Sequence, residues 1–225
     1  MQIIPVIDLK DGLVVHARRG NRAHYQPIHL HSVLTGDSDI DTVMAGFLKL
    51  HPFEQFYIAD LNAITGAGNH WPLIESLLAA YPHIEFWIDN GSQLSQISAG
   101  RPNQKWIIGS ESQQSPASRS ERPFILSLDY KDRQPAGHRS WFEQSQFWPD
   151  RIIVMTLSRV GSNSGPDVEK LAELHRRHPA KQFIAAGGIR HANDLENLEN
   201  RGIQAALVAT ALHNGTIGGA QIKNL

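Results

Sequence analysis

The chain has 225 residues, with 21 Lys and Arg against 22 Asp and Glu, a formal charge of -1 and no Cys. Near-balanced charge argues against a protein whose work is to coat nucleic acid or an anionic membrane. The absence of Cys excludes disulfides, thiolate catalysis and zinc–cysteine sites, and fits a reducing cytoplasm.

The opening residues, Met1-Gln-Ile-Ile-Pro-Val-Ile-Asp8, lack a basic leader and meet a carboxylate after a short apolar run. They read as a buried strand rather than a signal peptide. After Ile3–Ile7, similar runs follow at Phe56–Ala59, Ile84–Ile88, Trp106–Ile108, Phe124–Leu128, Ile152–Met155, Phe183–Ala186 and Ala205–Ala209. They are continuous rather than alternating, the pattern of strands buried on both faces of a parallel sheet. None approaches the roughly 18 residues of a bilayer span. Between them, Asp41–Leu50, Pro72–Tyr81, Val168–His178 and Ala192–Arg201 carry apolar residues at helical spacing, as Val43, Phe47 and Leu50 do in the first. Ser110–Arg122 is polar and reads as a loop with a short helix.

Eight strand–helix units averaging about 28 residues predict an α/β protein, a single (β/α)8 TIM barrel over residues 1–225. The alternative, a doubly wound open sheet, calls for a Gly-x-Gly-x-x-Gly turn after the first strand, and none is there. The two halves also echo each other. Ile4-Pro-Val-Ile-Asp8-Leu-Lys10-Asp11 matches Ile125-Leu-Ser-Leu-Asp129-Tyr-Lys131-Asp132, Phe86–Gly91 matches Phe183–Gly188, and Asp60-Leu61 matches Thr156-Leu157. Three matches in one order predict a two-fold half-barrel repeat, about 1–115 and 116–225.

In such a barrel the chemistry sits at the strand ends. Asp8, Asp60, Asp89 and Asp129 stand there, and strands one and five are opposed, so Asp8 and Asp129 face each other across the mouth. Two carboxylates flanking a small substrate divide general acid and general base work when their surroundings separate their pKa values. The plainer reading, in which each Asp caps a loop or pairs with Lys10 or Lys131, stays open for any single one. Gly187-Gly188 and Ala209-Thr210, after strands seven and eight, fall where barrels bind phosphate through backbone amides. By the repeat, Gly91-Ser92 and Gly109-Ser110 form a mirror site, and a ligand phosphorylated at both ends spans the mouth. Arg18, Arg19 and Arg22 read first as a solvated charge run and second as holding a ligand's anionic end, with Arg19 taken as the substrate contact. His29/His31 and His175/His178 have ligand spacing without a carboxylate partner, so no metal site is assigned. Trp71, Trp87 and Trp106 read as core. No cofactor is required by any motif.

These residues resemble the histidine-biosynthesis barrel family, which comprises the ProFAR isomerase and the cyclase subunit of imidazole glycerol phosphate synthase. The resemblance rests on Ile3–Gly12, Phe56–Leu61, Ile107–Ser110, Leu126–Asp129, Ser164–Pro166 and Ala186–Ile189, in order and across nearly the whole chain. It implies a duplicated barrel with two phosphate sites and an Amadori rearrangement of an aminoaldose, with Asp8 as general base and Asp129 as general acid. It also implies substrate contacts at Asp60, Asp89 and Thr156. Val160 stands where the family carries a catalytically important Asp, Met155 stands near the family's Thr, and Asp89-Asn90-Gly91 replaces a triple glycine. These departures resemble the divergent group related to ProFAR isomerase, some members of which are associated with methanopterin-type one-carbon pathways. The expected partner is a phosphorylated small molecule, with neither nucleic acid nor membrane. A lyase, cyclase or aldol step on the same scaffold, and a non-catalytic phosphate-ligand binder, remain the alternatives.

Overall fold

A computed structural model describes residues 1–131 and 134–223. In chain order the elements are β1 (Gln2–Lys10), β2 (Leu13–His16), β3 (Gln26–Pro27), α1 (Ile40–Leu50), β4 (Gln55–Asp60), α2 (Leu61–Thr65), α3 (Trp71–Ala80), β5 (Glu85–Asp89), β6 (Gln104–Gly109), β7 (Ile125–Lys131), β8 (Gln134–Pro135), α4 (Ser140–Glu143), β9 (Arg151–Thr156), α5 (Val168–Arg177), β10 (Gln182–Ala186), α6 (Ala192–Glu199), β11 (Ala205–Val208), α7 (Thr210–His213) and α8 (Gly219–Lys223). β1, β4, β5, β6, β7, β9, β10 and β11 pair side by side in that order, all parallel, and β11 returns to β1. The chain is therefore the expected eight-stranded parallel barrel with helices around it.

β1 shows how the strands tilt to close the ring. Its residues Gln2–Pro5 pair with β11 and its residues Val6–Leu9 pair with β4. Pro5, which has no N–H to donate, sits where the pairing changes from one neighbour to the other. Asp11 and Gly12 (φ 51° and 82°) then turn the chain back into β2, with Lys10 opposite Leu13, as a two-residue hairpin requires. The echo of this hairpin is β7–β8, where Lys131 pairs with Gln134. Asp132, the last residue of the sequence echo, lies outside the described residues.

Helices of eight or more residues lie between β1 and β4, β4 and β5, β9 and β10, and β10 and β11, close to the segments read from the sequence. The other units depart from the simple strand–helix pattern. Between β5 and β6 lies only a 3-10 turn at Leu94–Gln96, and between β6 and β7 one at Ser110–Ser112. Ser110–Arg122 has no apolar stripe to bury, so it forms only that short 3-10 turn and loop, as its polar composition predicts. Ile97, Ala117 and Trp141 instead cover that flank of the barrel as single buried plugs.

Two apolar layers follow from the period-2 alternation of strand side chains. One set, with Ile7, Leu9, Phe56, Ile58, Phe86 and Leu128, packs outward against the helices. The other, with Ile4, Tyr57, Trp87, Ile107, Ile153 and Leu207, fills the barrel interior. Strand parity thus assigns every strand-end residue to one side of the wall.

Candidate active site

Counting up β1 in steps of two from Ile4, an interior residue, gives Val6 and then Asp8. The same count gives Asp89 above Trp87 on β5 and Asp129 above Ser127 and Ile125 on β7. Register puts these on one level: Asp8 and Asp89 both pair with Ala59, and Asp129 and Ala186 both pair with Met155. Alternate strands supply each layer of a barrel interior. Here the top layer is three carboxylates and an alanine. All four line one cavity of about 110 Å³ at the C-terminal mouth, far more than the roughly 10–15 Å³ that holds a single water.

Asp60 and Thr156 sit one residue beyond Ala59 and Met155, so parity sends them to the outside of the wall. Asp60 is 1% exposed and faces away from the cavity. Its carboxylate accepts from the backbone N–H of His70 at 2.7 Å and of Ala63 at 3.1 Å, and lies 2.8 Å from His70 Nδ1. It anchors the β4–α3 connection and does not reach the mouth. The Thr156 hydroxyl is buried behind the wall with no partner among the described residues. Neither residue is placed to touch a ligand in the mouth.

The three interior carboxylates differ in how they are held. Asp129 is 4% exposed and receives the Ser127 hydroxyl at 2.7 Å, the Glu111 N–H at 3.0 Å and the Ser110 hydroxyl at 3.2 Å. Asp89 receives the Tyr57 hydroxyl at 2.8 Å. Asp8 is half-buried and receives no hydrogen bond among the described residues. Burial pushes Asp8 and Asp129 up to about 7 and Asp89 to about 6. Arg22 opposes the shift of Asp8, and the hydrogen bonds from Glu111 and Ser127 oppose that of Asp129. Gly109 lies close beneath them: a Cβ there would stand 3.3 Å from an Asp129 oxygen and 3.7 Å from an Asp89 oxygen.

The two sides of the mouth are chemically unlike. Gly187 and Gly188 (φ 93° and 88°) line the cavity with Ala209 and Thr210, and the two glycine amides donate no hydrogen bond among the described residues. A Cβ on Gly188 would stand 2.2 Å from the Gly165 carbonyl oxygen, so only glycine fits this turn. The expected mirror site is built differently. Gly91, Ser92, Gly109 and Ser110 stand outside the cavity lining. The Gly91 N–H donates to Asp89 and the Ser92 N–H to Asn90, while the buried Ser110 hydroxyl serves Asp129. Asp89 and the Arg22–Glu111 ion pair line that side. One half of the mouth offers unused amides to an anion; on the other, the expected donors already serve protein acceptors.

Among the lining residues that sequence reasoning did not single out are Tyr25, Tyr57 and Glu111, while Arg22, read mainly as part of a solvated run, also lines the cavity. Tyr57 was legible, since it is two residues before Ala59 on an interior face. Arg22 and Glu111 form an ion pair across the mouth, bringing together segments 89 positions apart. Arg18 and Arg19 are exposed, as a solvated run would be, and Arg19 does not line the cavity. Its contact is through the backbone, where its N–H donates to the Val160 carbonyl at 2.8 Å. Val160 itself faces the cavity, and a Cβ on Gly161 would stand 2.4 Å from the Ala17 carbonyl oxygen. The loops after β2 and β9 thus meet over the carboxylates.

Comparison with known proteins gives relatives that match over nearly the full extent of both chains. The chain is 30% identical over 226 residues to the uncharacterized protein MJ0703 of Methanocaldococcus jannaschii, covering 100% of this chain and 98% of that protein. It is 27% identical over 252 residues to a protein of Marinobacter nauticus named 1-(5-phosphoribosyl)-5-((5-phosphoribosylamino)methylideneamino) imidazole-4-carboxamide isomerase, covering 99% and 97% of the two chains. A protein of the same name from Thioalkalivibrio sulfidiphilus is 28% identical over 254 residues, covering 100% and 99%. The model of the histidine biosynthesis protein family matches residues 2–218, and with a barrel whose mouth gathers Asp8 and Asp129, the chain belongs to that family.

Proposed function

We propose that the barrel mouth is the active site of an isomerase-like enzyme that moves a proton between adjacent carbons of a phosphorylated sugar or aminosugar, in an aldose–ketose rearrangement of Amadori type. The observation that carries this reading is the pair Asp8 and Asp129, on opposed strands and in one cavity, each raised by burial to about 7. A group with that pKa gives and takes protons readily near neutral pH. Asp129 in its protonated form gives its proton to the ring oxygen as the sugar C–O bond opens. Asp8, free of hydrogen bonds, takes the proton from C2, and the resulting enol is reprotonated at C1 as the C2 hydroxyl becomes a carbonyl. The substrate's phosphate lies against Gly187, Gly188, Ala209 and Thr210, whose backbone N–H groups donate to no protein partner among the described residues.

The opposite side, where Gly91, Ser92 and Ser110 already donate to protein acceptors, favours a substrate with one phosphate rather than two. The relatives named as isomerases carry a name that describes a substrate with two phosphoribosyl groups. The test is proton exchange in D₂O with a panel of singly phosphorylated aldoses and aminoaldoses. The intact protein exchanges the C2 proton of its substrate, and Asp8→Asn and Asp129→Asn each abolish exchange while keeping the fold. Wild-type exchange in either variant refutes the mechanism. Ligands that raise the melting temperature with no exchange at all point to a non-catalytic binder. Expression in a strain lacking ProFAR isomerase is expected not to restore growth.

A further inference from the structure

Beside the amide-rich half of the mouth lies a group of imidazoles that the proton-transfer reading does not use. His16 ends β2, and its Nε2 is 3.2 Å from the Thr210 hydroxyl oxygen. The His31 ring, in the 28–31 turn, stands over it with centroids 4.6 Å apart. Arg18 acts on the same ring from its own loop, and His16 in turn acts on His213, 2% exposed and on α7. Arg18 is the permanent cation acting on the His16 ring, and among the described residues no carboxylate acts on it from any element packed around it, the paired strand β1 included. The cluster's one polar contact toward the cavity is Thr210, which lines the mouth beside Gly187 and Gly188.

We propose that His16 is the positioning residue of the anion-binding side: through Nε2 it sets the direction of the Thr210 hydroxyl, and a phosphomonoester dianion seated there draws a proton onto its ring. The inference rests on the reading that phosphate occupies that side. When His16 Nε2 accepts, the Thr210 hydroxyl donates to it and turns its proton away from the ligand. When Nε2 carries a proton, it donates to the Thr210 oxygen, and the Thr210 proton is free to reach a phosphate oxygen. Burial first, then His31 and Arg18, hold His16 below the ordinary histidine range, so it is neutral at pH 7. The incoming dianion supplies the missing negative charge, and the proton comes from solvent.

Ribose 5-phosphate, binding to the intact chain and followed by titration calorimetry at pH 7 in two buffers of different ionisation enthalpy, tests this. Wild type takes up a fraction of a proton on binding. His16→Gln keeps a neutral hydrogen-bonding group at the same reach, binds roughly tenfold more weakly and takes up none. Thr210→Ser retains uptake and affinity, and Thr210→Val loses both. His31→Gln retains uptake. Unchanged uptake in His16→Gln, or its loss in His31→Gln, overturns the inference while leaving the phosphate reading intact. Absence of binding by wild type of any singly phosphorylated sugar overturns the phosphate reading itself, and this inference with it.

Discussion

Asp8→Asn makes a sharp test, because the residue proposed to be essential is also destabilising when charged. Burial raises Asp8 from 3.8 to about 7. The folded state therefore binds more protons than the unfolded state between about pH 4 and pH 7. The stability contributed by the neutral carboxyl is complete below pH 4 and is lost as pH rises through 7. A shift of about 3 units at about 1.4 kcal/mol each sets an upper bound near 4 kcal/mol. Asp8 is half-buried beside an open cavity, so solvent screening reduces the expected effect to about 1–2 kcal/mol. Asp8 receives no hydrogen bond that the amide would disturb. Asp8→Asn should therefore match wild type near pH 4.5 and exceed it at pH 8.5 by that amount, or by roughly 2–8 °C in melting temperature for a chain of this size. Urea midpoints of both proteins from pH 4.5 to 9 check it. A difference that stays constant with pH, or that shrinks as pH rises, refutes the assignment of a raised pKa to Asp8.

Other substitutions separate structural from functional aspartates. Asp60→Ala strips three contacts from a buried carboxylate and should cost about 3 kcal/mol by urea unfolding, with ligand affinity unchanged in the protein that remains folded. Ser110→Ala removes a donor to the Asp129 carboxylate and should move the pH–rate limb governed by that residue to higher pH, since hydrogen bonds favour the ionised form. A limb that stays in place shows that another group governs it. Gly188→Ala forces a Cβ toward the Gly165 carbonyl at positive φ and should cost at least about 2 kcal/mol, visible as lower yield and melting temperature. An unperturbed Gly188→Ala would mean that the turn adapts.

The sequence by itself determined the wall of the barrel. Eight apolar runs, each too short for a helix and closed by turn residues, with no Gly-x-Gly-x-x-Gly turn to mark an open sheet, bury both faces by closing into a ring, and the structure pairs all eight. It also carried more of the site than the strand ends alone reveal. Alternation in steps of two separates Asp8, Asp89 and Asp129, inside, from Asp60 and Thr156, outside, and parity is a property of the chain. What only the tertiary structure decided is which polar groups are already spent. Gly91, Ser92 and Ser110 look in sequence like Gly187, Gly188 and Thr210, yet their hydrogen-bonding capacity is taken by Asp89, Asn90 and Asp129. The cavity's arginine is Arg22 rather than Arg19, because the strap after β2 turns Arg22 toward Glu111 from the far side of the ring. A hydrogen bond or an ion pair is settled by distance in space. Residues brought together by ring closure leave no trace in local spacing.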